Sequence, residues 1–245
     1  MMKIIISPAK KMKLCEDHGF LISTPLFMNE HNQLFNTLAA MTFDQLQTLY
    51  KCSQKTMMPV WEEQERQKQG IFPPASPALL SYSGIAYQSM APDVFDDAQW
   101  AYINEHLRII SAMYGLLRPL DGIVPYRLEM QQRIPMQLYE FWGKKIVNAL
   151  DDDVVINLAS KEYSRCVETF QPVITPRFFE LEDGKRKEKG VYVKIARGAM
   201  VRWMAENQIQ DPKDLVHFHE LGYGYDPQTS TQTVLHFVRK EGYHA

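Results

Sequence analysis

Cysteine is scarce in this chain. Three occur, Cys15, Cys52 and Cys166, odd in number and far apart, and no CxxC is present. That spacing excludes a disulfide framework and points to a reducing compartment. Cys15 has Lys10, Lys11 and Lys13 close by in sequence, which can favour a thiolate, but no resolving cysteine follows, so it reads as an ordinary thiol. Long apolar runs are also missing. The opening MMKIIISPAK holds three consecutive isoleucines before Ser7-Pro8, too few for a secretory signal. No stretch approaches the ~20 apolar residues of a membrane span. A cytoplasmic protein with no membrane partner is expected.

Net positive charge is absent too. The chain has 27 Lys and Arg against 29 Asp and Glu, a formal net charge of −2. A uniformly basic coat for nucleic acid is excluded, but a local basic cleft is not, because the field in a cleft follows the charges that line it. The phosphate-loop pattern GxxxxGK[ST] does not occur. Ser7-Pro8-Ala9-Lys10 has the SxxK spacing of serine acyl-enzymes, yet their SDN and KTG partners are missing, which rejects that chemistry. Of the seven histidines, only His217-Phe218-His219 has ligand-like spacing. On a strand those two would share a face, with Glu220 the only further donor nearby. No metal or other cofactor is expected.

What is present fits an ordinary globular chain: 245 residues, 45% hydrophobic and 23% charged. Short β-branched runs read as strands at Lys3–Ser7, Asp153–Leu158 and Val234–Val238. Thr42-Phe43-Asp44-Gln45 fits a capping box, opening a helix to about Lys51. A polar helix spans Met57–Gln69 with Gly70 as its stop, and FPPASP at 72–77 is a loop. Asp96 or Asp97 caps a helix to about Leu107, and Ser160 caps another. Phe178–Lys189 reads as a hairpin turning at Asp183-Gly184. Helix signals return at Val193–Asn207 and after Asp211-Pro212. Strands and helices interleave without repeat or long linker. The predicted fold class is therefore α/β: one domain over 1–245, with a mixed sheet and surrounding helices.

The densest chemistry lies in Ser111–Met130, SAMYGLLRPLDGIVPYRLEM. Prolines beside Arg118 and Tyr126-Arg127 restrict the backbone and suit groups that hold a fixed anion. Arg108–Asp121 reads as helix, tight hairpin, helix, with Gly115 in the turn, or else Leu107–Leu117 is a buried strand or core helix that only carries Gly115. The first reading would bring backbone amides and a helix N-terminus to a phosphate. Gly184–Trp203 carries seven basic residues against Glu188. Lys194 and Arg197 share one side of a helix, with Arg202 a little way around. Lys10 follows a strand end, where α/β proteins bind ligands. Asn157 sits inside an apolar strand and must find hydrogen-bond partners, in the core or at a site edge. The aromatics Phe141-Trp142 and Tyr223–Tyr225 read as core, so no protein partner is indicated.

Five blocks carry a family resemblance: IIISPAK near the start, the 111–130 segment, LYEFWG at 138–143, VINLASKEY at 155–163 and KIARGAMVRW at 194–203. Together, in this order, they resemble the YaaA peroxide-stress family. The resemblance implies a mixed α/β fold with a cleft and a helix-hairpin-helix element, and a role in the oxidative (hydrogen peroxide) stress response that limits peroxide- and iron-linked DNA damage. The leading expectation is DNA binding by shape and backbone contacts, with Lys10, Gly115, Arg118, Arg127, Lys194, Arg197 and Arg202 forming the interface. The alternative is an enzyme acting on a nucleotide or nucleobase, in a pocket lined by Lys10, Tyr126, Arg127, Glu129 and Asn157 with Glu129 as acid and base. A deep small pocket would favour the enzyme, and a groove as wide as a duplex would favour nucleic acid.

Overall fold

The computed structural model describes residues 2–239. Among them the strands are β1 (Met2–Ile6), β2 (Ser76–Pro77), β3 (Leu107–Ser111), β4 (Gly115–Leu117), β5 (Gly122–Ile123), β6 (Val154–Leu158), β7 (Thr175–Glu182), β8 (Lys185–Lys187), β9 (Tyr223–Tyr225) and β10 (Val234–Arg239). The helices are α1 (Met28–Ala39), α2 (Phe43–Tyr50), α3 (Gln54–Lys68), α4 (Ala78–Ser81), α5 (Ile85–Met90), α6 (Asp97–His106), α7 (Leu138–Trp142), α8 (Lys145–Leu150), α9 (Lys161–Glu168) and α10 (Gly190–Glu206).

The fold is mixed α/β, with two four-stranded sheets instead of the single one expected. The first runs β4-β3-β1-β6 and the second β8-β7-β10-β9, with a short β2-β5 pair beside them. β1 is central and parallel to both β3 and β6. Its five residues are all buried, as a parallel strand covered on both faces requires. Lys3 keeps its ammonium at the strand end by donating to the Glu105 carbonyl (3.0 Å). In the second sheet β7 and β10 are parallel, with β8 and β9 antiparallel on the outer edges. The sheets meet where β6 runs beside the approach to β7: Asn157 N–H donates to the Ile174 carbonyl (2.7 Å) and Ile174 N–H to the Val155 carbonyl (2.8 Å). One apolar core runs through both, from Ile4 to Phe237.

Local sequence explains the helix starts. Thr42 and Gln45 bond reciprocally across the first turn of α2, and Asp96 and Gln99 do the same for α6. Ser53 caps α3, which starts before the expected Met57 and carries Pro59 within it. Asp183 and Gly184 have φ of 50° and 70° and turn β7 into β8, the geometry of a tight hairpin.

Two expectations are corrected. Arg108–Asp121 is a β-hairpin, not helix-hairpin-helix: β3 and β4 pair antiparallel, with Ser111 opposite Gly115. Ser111 Oγ accepts from Met113 N–H and Tyr114 N–H to close the turn. Gly115 is buried at φ +72°, and a Cβ there would lie 2.5 Å from the Trp142 ring and 2.9 Å from Phe27. The glycine therefore makes room for aromatic packing and not for a phosphate. His217-Phe218-His219 is not a strand either. It ends a 3-10 turn over Pro212–His217, with Phe218 buried against Trp203.

Helix α10 lies on α5. Gly198 allows it, since a Cβ there would stand 1.9 Å from the Ala86 carbonyl oxygen. This contact fixes the height at which the basic side of α10 faces the end of the first sheet.

Candidate functional site

Parallel strands deliver their carboxyl ends to one side of a sheet. β1 runs out at Ser7-Pro8 and β6 at Ser160 on that side. Ser7 Oγ donates to Ser160 Oγ (3.2 Å) and accepts from Ser160 N–H (2.8 Å). Ser160 stands at the N-cap position of α9, as expected from sequence, but its hydroxyl is turned to Ser7 and gives no side-chain cap. The opening amides of α9 are among those a helix leaves without internal partners.

At this edge lies a cleft of about 350 Å³. Five segments build it: the residues after β1, the start of α5, Tyr126–Glu129, the start of α9, and one side of α10. Lys10, Arg127, Lys194 and Arg197 all line it. Four cations from three distant parts of the sequence are thus brought together. Lys10 pairs with Glu129 at 2.8 Å, the carboxylate largely covered and the lysine largely exposed. The two arginines are less satisfied. Nε of Arg127 and Nε of Arg197 are buried and have no hydrogen-bond partner. Arg127 donates through a terminal nitrogen to the Tyr50 carbonyl (3.3 Å) and lies over the Tyr50 ring, 5.2 Å from its centre. Burial pulls the Arg197 guanidinium below its ordinary pKa, yet guanidinium titrates so high that it stays charged.

Neutral tyrosines floor the cleft. Tyr126 OH bonds to Ser111 Oγ (2.7 Å) and to Tyr82 OH (2.8 Å), and Tyr87 OH donates to the Ser7 carbonyl (2.9 Å). Burial pushes Tyr126 up to about 12 and raises Tyr82 and Tyr87 as well. These hydroxyls therefore stay protonated at neutral pH, their bonds held within the protein. The arrangement can neutralise a doubly charged anion and offer it hydrogen bonds from the basic side chains, with two carboxylates, Glu129 and Glu162, on its wall.

The other residues singled out in the sequence lie elsewhere. Arg118 is exposed and tied to buried Asp121 (2.8 Å) and to the Thr24 carbonyl (3.0 Å). Arg202 pairs with Glu206 at 2.7 Å. Neither lines the cleft, and Gly115 is walled in by Trp142. Asn157 is a fastening inside the fold: its amide donates to Glu168 (2.9 Å) and Thr175 (3.3 Å) and its oxygen accepts from Ala159 N–H (2.9 Å). Sequence reading missed Tyr87 and Glu162 in the cleft wall, because nothing local distinguishes them from core and surface residues. Among the described residues no three His, Cys, Asp or Glu side chains gather around a possible metal position, and no helix is long and apolar enough to cross a membrane.

Comparison with known proteins fits this geometry to a family. The family described as peroxide stress protein YaaA matches residues 2–229. A "UPF0246 protein" of Agathobacter rectalis is 39% identical over 249 positions, covering 98% of this chain and 99% of its own. One from Pediococcus pentosaceus is 41% identical, with 98% and 99% covered. One from Lactobacillus acidophilus is 44% identical, with 94% of each chain covered. Coverage this complete takes in every segment that builds the cleft, and the chain belongs to the YaaA peroxide stress protein family.

Proposed function

We propose that this protein works in the cytoplasmic response to peroxide by binding DNA, taking the phosphate of one nucleotide unit into the cleft. The observation that carries this reading is the pair of buried guanidinium Nε atoms, on Arg127 and Arg197, without partners in one cleft. A buried donor left unpaired is unfavourable, and a phosphate oxygen supplies the missing acceptor with charge assistance. Lys194 and Lys10 stand exposed at the rim, where they meet neighbouring phosphates. The uncapped start of α9 adds a partial positive charge.

Scale refines the expectation. A cleft of about 350 Å³ is a small-ligand volume, and a duplex is far too wide to enter it. The unit that enters is therefore a strand end, a single strand, or a nucleotide swung out of a duplex. Affinity comes from phosphate neutralisation and falls steeply with salt. Shielding damaged DNA, or holding it for repair, follows as the way binding limits peroxide damage.

A second reading has its own support. The Lys10–Glu129 pair lies in the cleft at the carboxyl ends of parallel strands, where α/β enzymes place their chemistry, with Lys10 at the rim and Glu129 largely covered, and Glu129 could move a proton on a bound nucleotide. Asn157 takes no part in that pocket. The test is a titration against duplex, branched and single-stranded DNA at two salt concentrations, run beside an assay for nucleotide turnover. Tight, salt-sensitive binding favouring ends and single strands supports the first reading. Equal affinity at low and high salt removes it, and turnover abolished by Glu129→Gln establishes the second.

A further inference from the structure

A second cavity of about 400 Å³ adjoins the cleft. The two share Lys10, Tyr126 and Arg127 as lining residues, so these side chains form the wall between them. The cleft is cationic, and the second chamber is mostly apolar. Helices α1 and α3 build it, with Tyr50 at the end of α2. Its faces are flat and aromatic. His31, Phe35, Tyr50 and Tyr126 line it; His31 is backed by Tyr114, which stands behind the wall with ring centres 4.4 Å apart, and Arg127 covers the Tyr50 ring from the cleft side. One side is polar. Glu63, Gln64 and Gln67 line it from α3, and Gln64 is anchored by donating to the Leu38 carbonyl (3.1 Å).

We propose that this chamber receives the nucleobase of the unit whose phosphate occupies the cleft. The proposal rests on the phosphate reading of the cleft and names what lies on the other side of its wall. A ligand that reaches both cavities must carry an anion at one end and an apolar body at the other, joined past Arg127. Flat aromatic walls select a planar ring over an aliphatic chain, since stacking on such faces holds any base. Gln67 donates to Glu63 (2.9 Å), and the acceptor oxygens along this side answer a donor on the hydrogen-bonding edge that a base carries and a hydrocarbon lacks. Arg127 then borders both compartments, since it lines each of them.

The test compares a six-nucleotide single strand with its fully abasic counterpart, which keeps every phosphate. Binding is measured by calorimetry on the full-length protein and on two variants that plug the chamber, Leu14→Trp and Val60→Trp. Leu14 lines the chamber and is 42% exposed, so its replacement leaves the core alone and keeps the test valid if Val60→Trp fails to fold. The intact strand is expected to bind wild type at least tenfold more tightly than the abasic one. Both plugged proteins are expected to hold the two strands equally, at the abasic level. Equal binding of the two strands by wild type, or plugged variants that keep the full preference, overturns the chamber assignment while the abasic strand still reports on the cleft. Failure of the abasic strand to bind at all instead removes the phosphate reading, and the chamber proposal with it.

Discussion

Arg118, Arg197 and Arg202 are the same residue type and differ in what stands three or four positions on. Arg118 has Asp121 three positions on and Arg202 has Glu206 four positions on, and both pair with those acids. Arg197 has no acid at either spacing, and its Nε is left unpartnered at the cleft. Replacing Arg197 with Ala is expected to weaken binding roughly tenfold for every DNA sequence and to lower the salt slope by about 1. Arg202→Ala is expected to leave affinity within about twofold of wild type, since a solvent-facing pair contributes little. Filter binding across a salt series checks both. That difference was legible in the sequence from spacing alone. The role of Asn157 was not, because Glu168 and Thr175 reach it only through the fold. Tyr126 carries a stability prediction. Its hydroxyl joins Ser111 to Tyr82, and Tyr126→Phe leaves both short of a partner, for a loss of about 1–2 kcal/mol in urea unfolding. His31 carries one in pH. Burial holds its pKa below the ordinary 6.5, so below that pH the unfolded chain takes up a proton that the folded one refuses. Stability should fall on acidification from about 6.5 until His31 itself protonates, and His31→Phe should flatten that part of the stability curve.

Elements whose signals are local were readable in advance. The capping residue Thr42 and the Asp183-Gly184 turn act within four residues and stand where the sequence placed them, and of the two candidates Asp96 and Asp97 it is Asp96 that caps α6. The segment around Gly115 was harder. A glycine in a short apolar run suits a helical hairpin or a β-turn equally, and pairing with β1 decides between them. That partner lies about a hundred residues away, beyond what a local pattern encodes. The seat of α10 is a further long-range outcome, and it is testable. Gly198→Ala puts a Cβ onto the Ala86 carbonyl and must lift α10 from α5. A loss of roughly 1–3 kcal/mol is expected, together with weaker DNA binding, because Lys194 and Arg197 move with the helix. Gly190→Ala on the same helix meets nothing within 4 Å and should change stability by less than about 0.5 kcal/mol. Thermal unfolding and DNA titration of the two variants separate packing from substitution as such.

Across the whole molecule, a net charge of −2 coexists with a cationic cleft because the fold gathers Lys10, Lys11, Arg127, Lys194 and Arg197 at one edge against only Glu129 and Glu162. Composition therefore hid the feature that topology concentrates. Binding that spans five segments should stabilise all of them together. At a DNA concentration a hundredfold above the dissociation constant, stability should rise by about 2.7 kcal/mol, with tryptophan fluorescence and far-UV circular dichroism shifting in parallel. The same architecture has a consequence for synthesis. Lys10 and Arg127 both leave the ribosome before the helix bearing Lys194 and Arg197. A nascent chain therefore has no complete cleft until that helix has emerged and closed over α5, and the cationic wall is assembled only then.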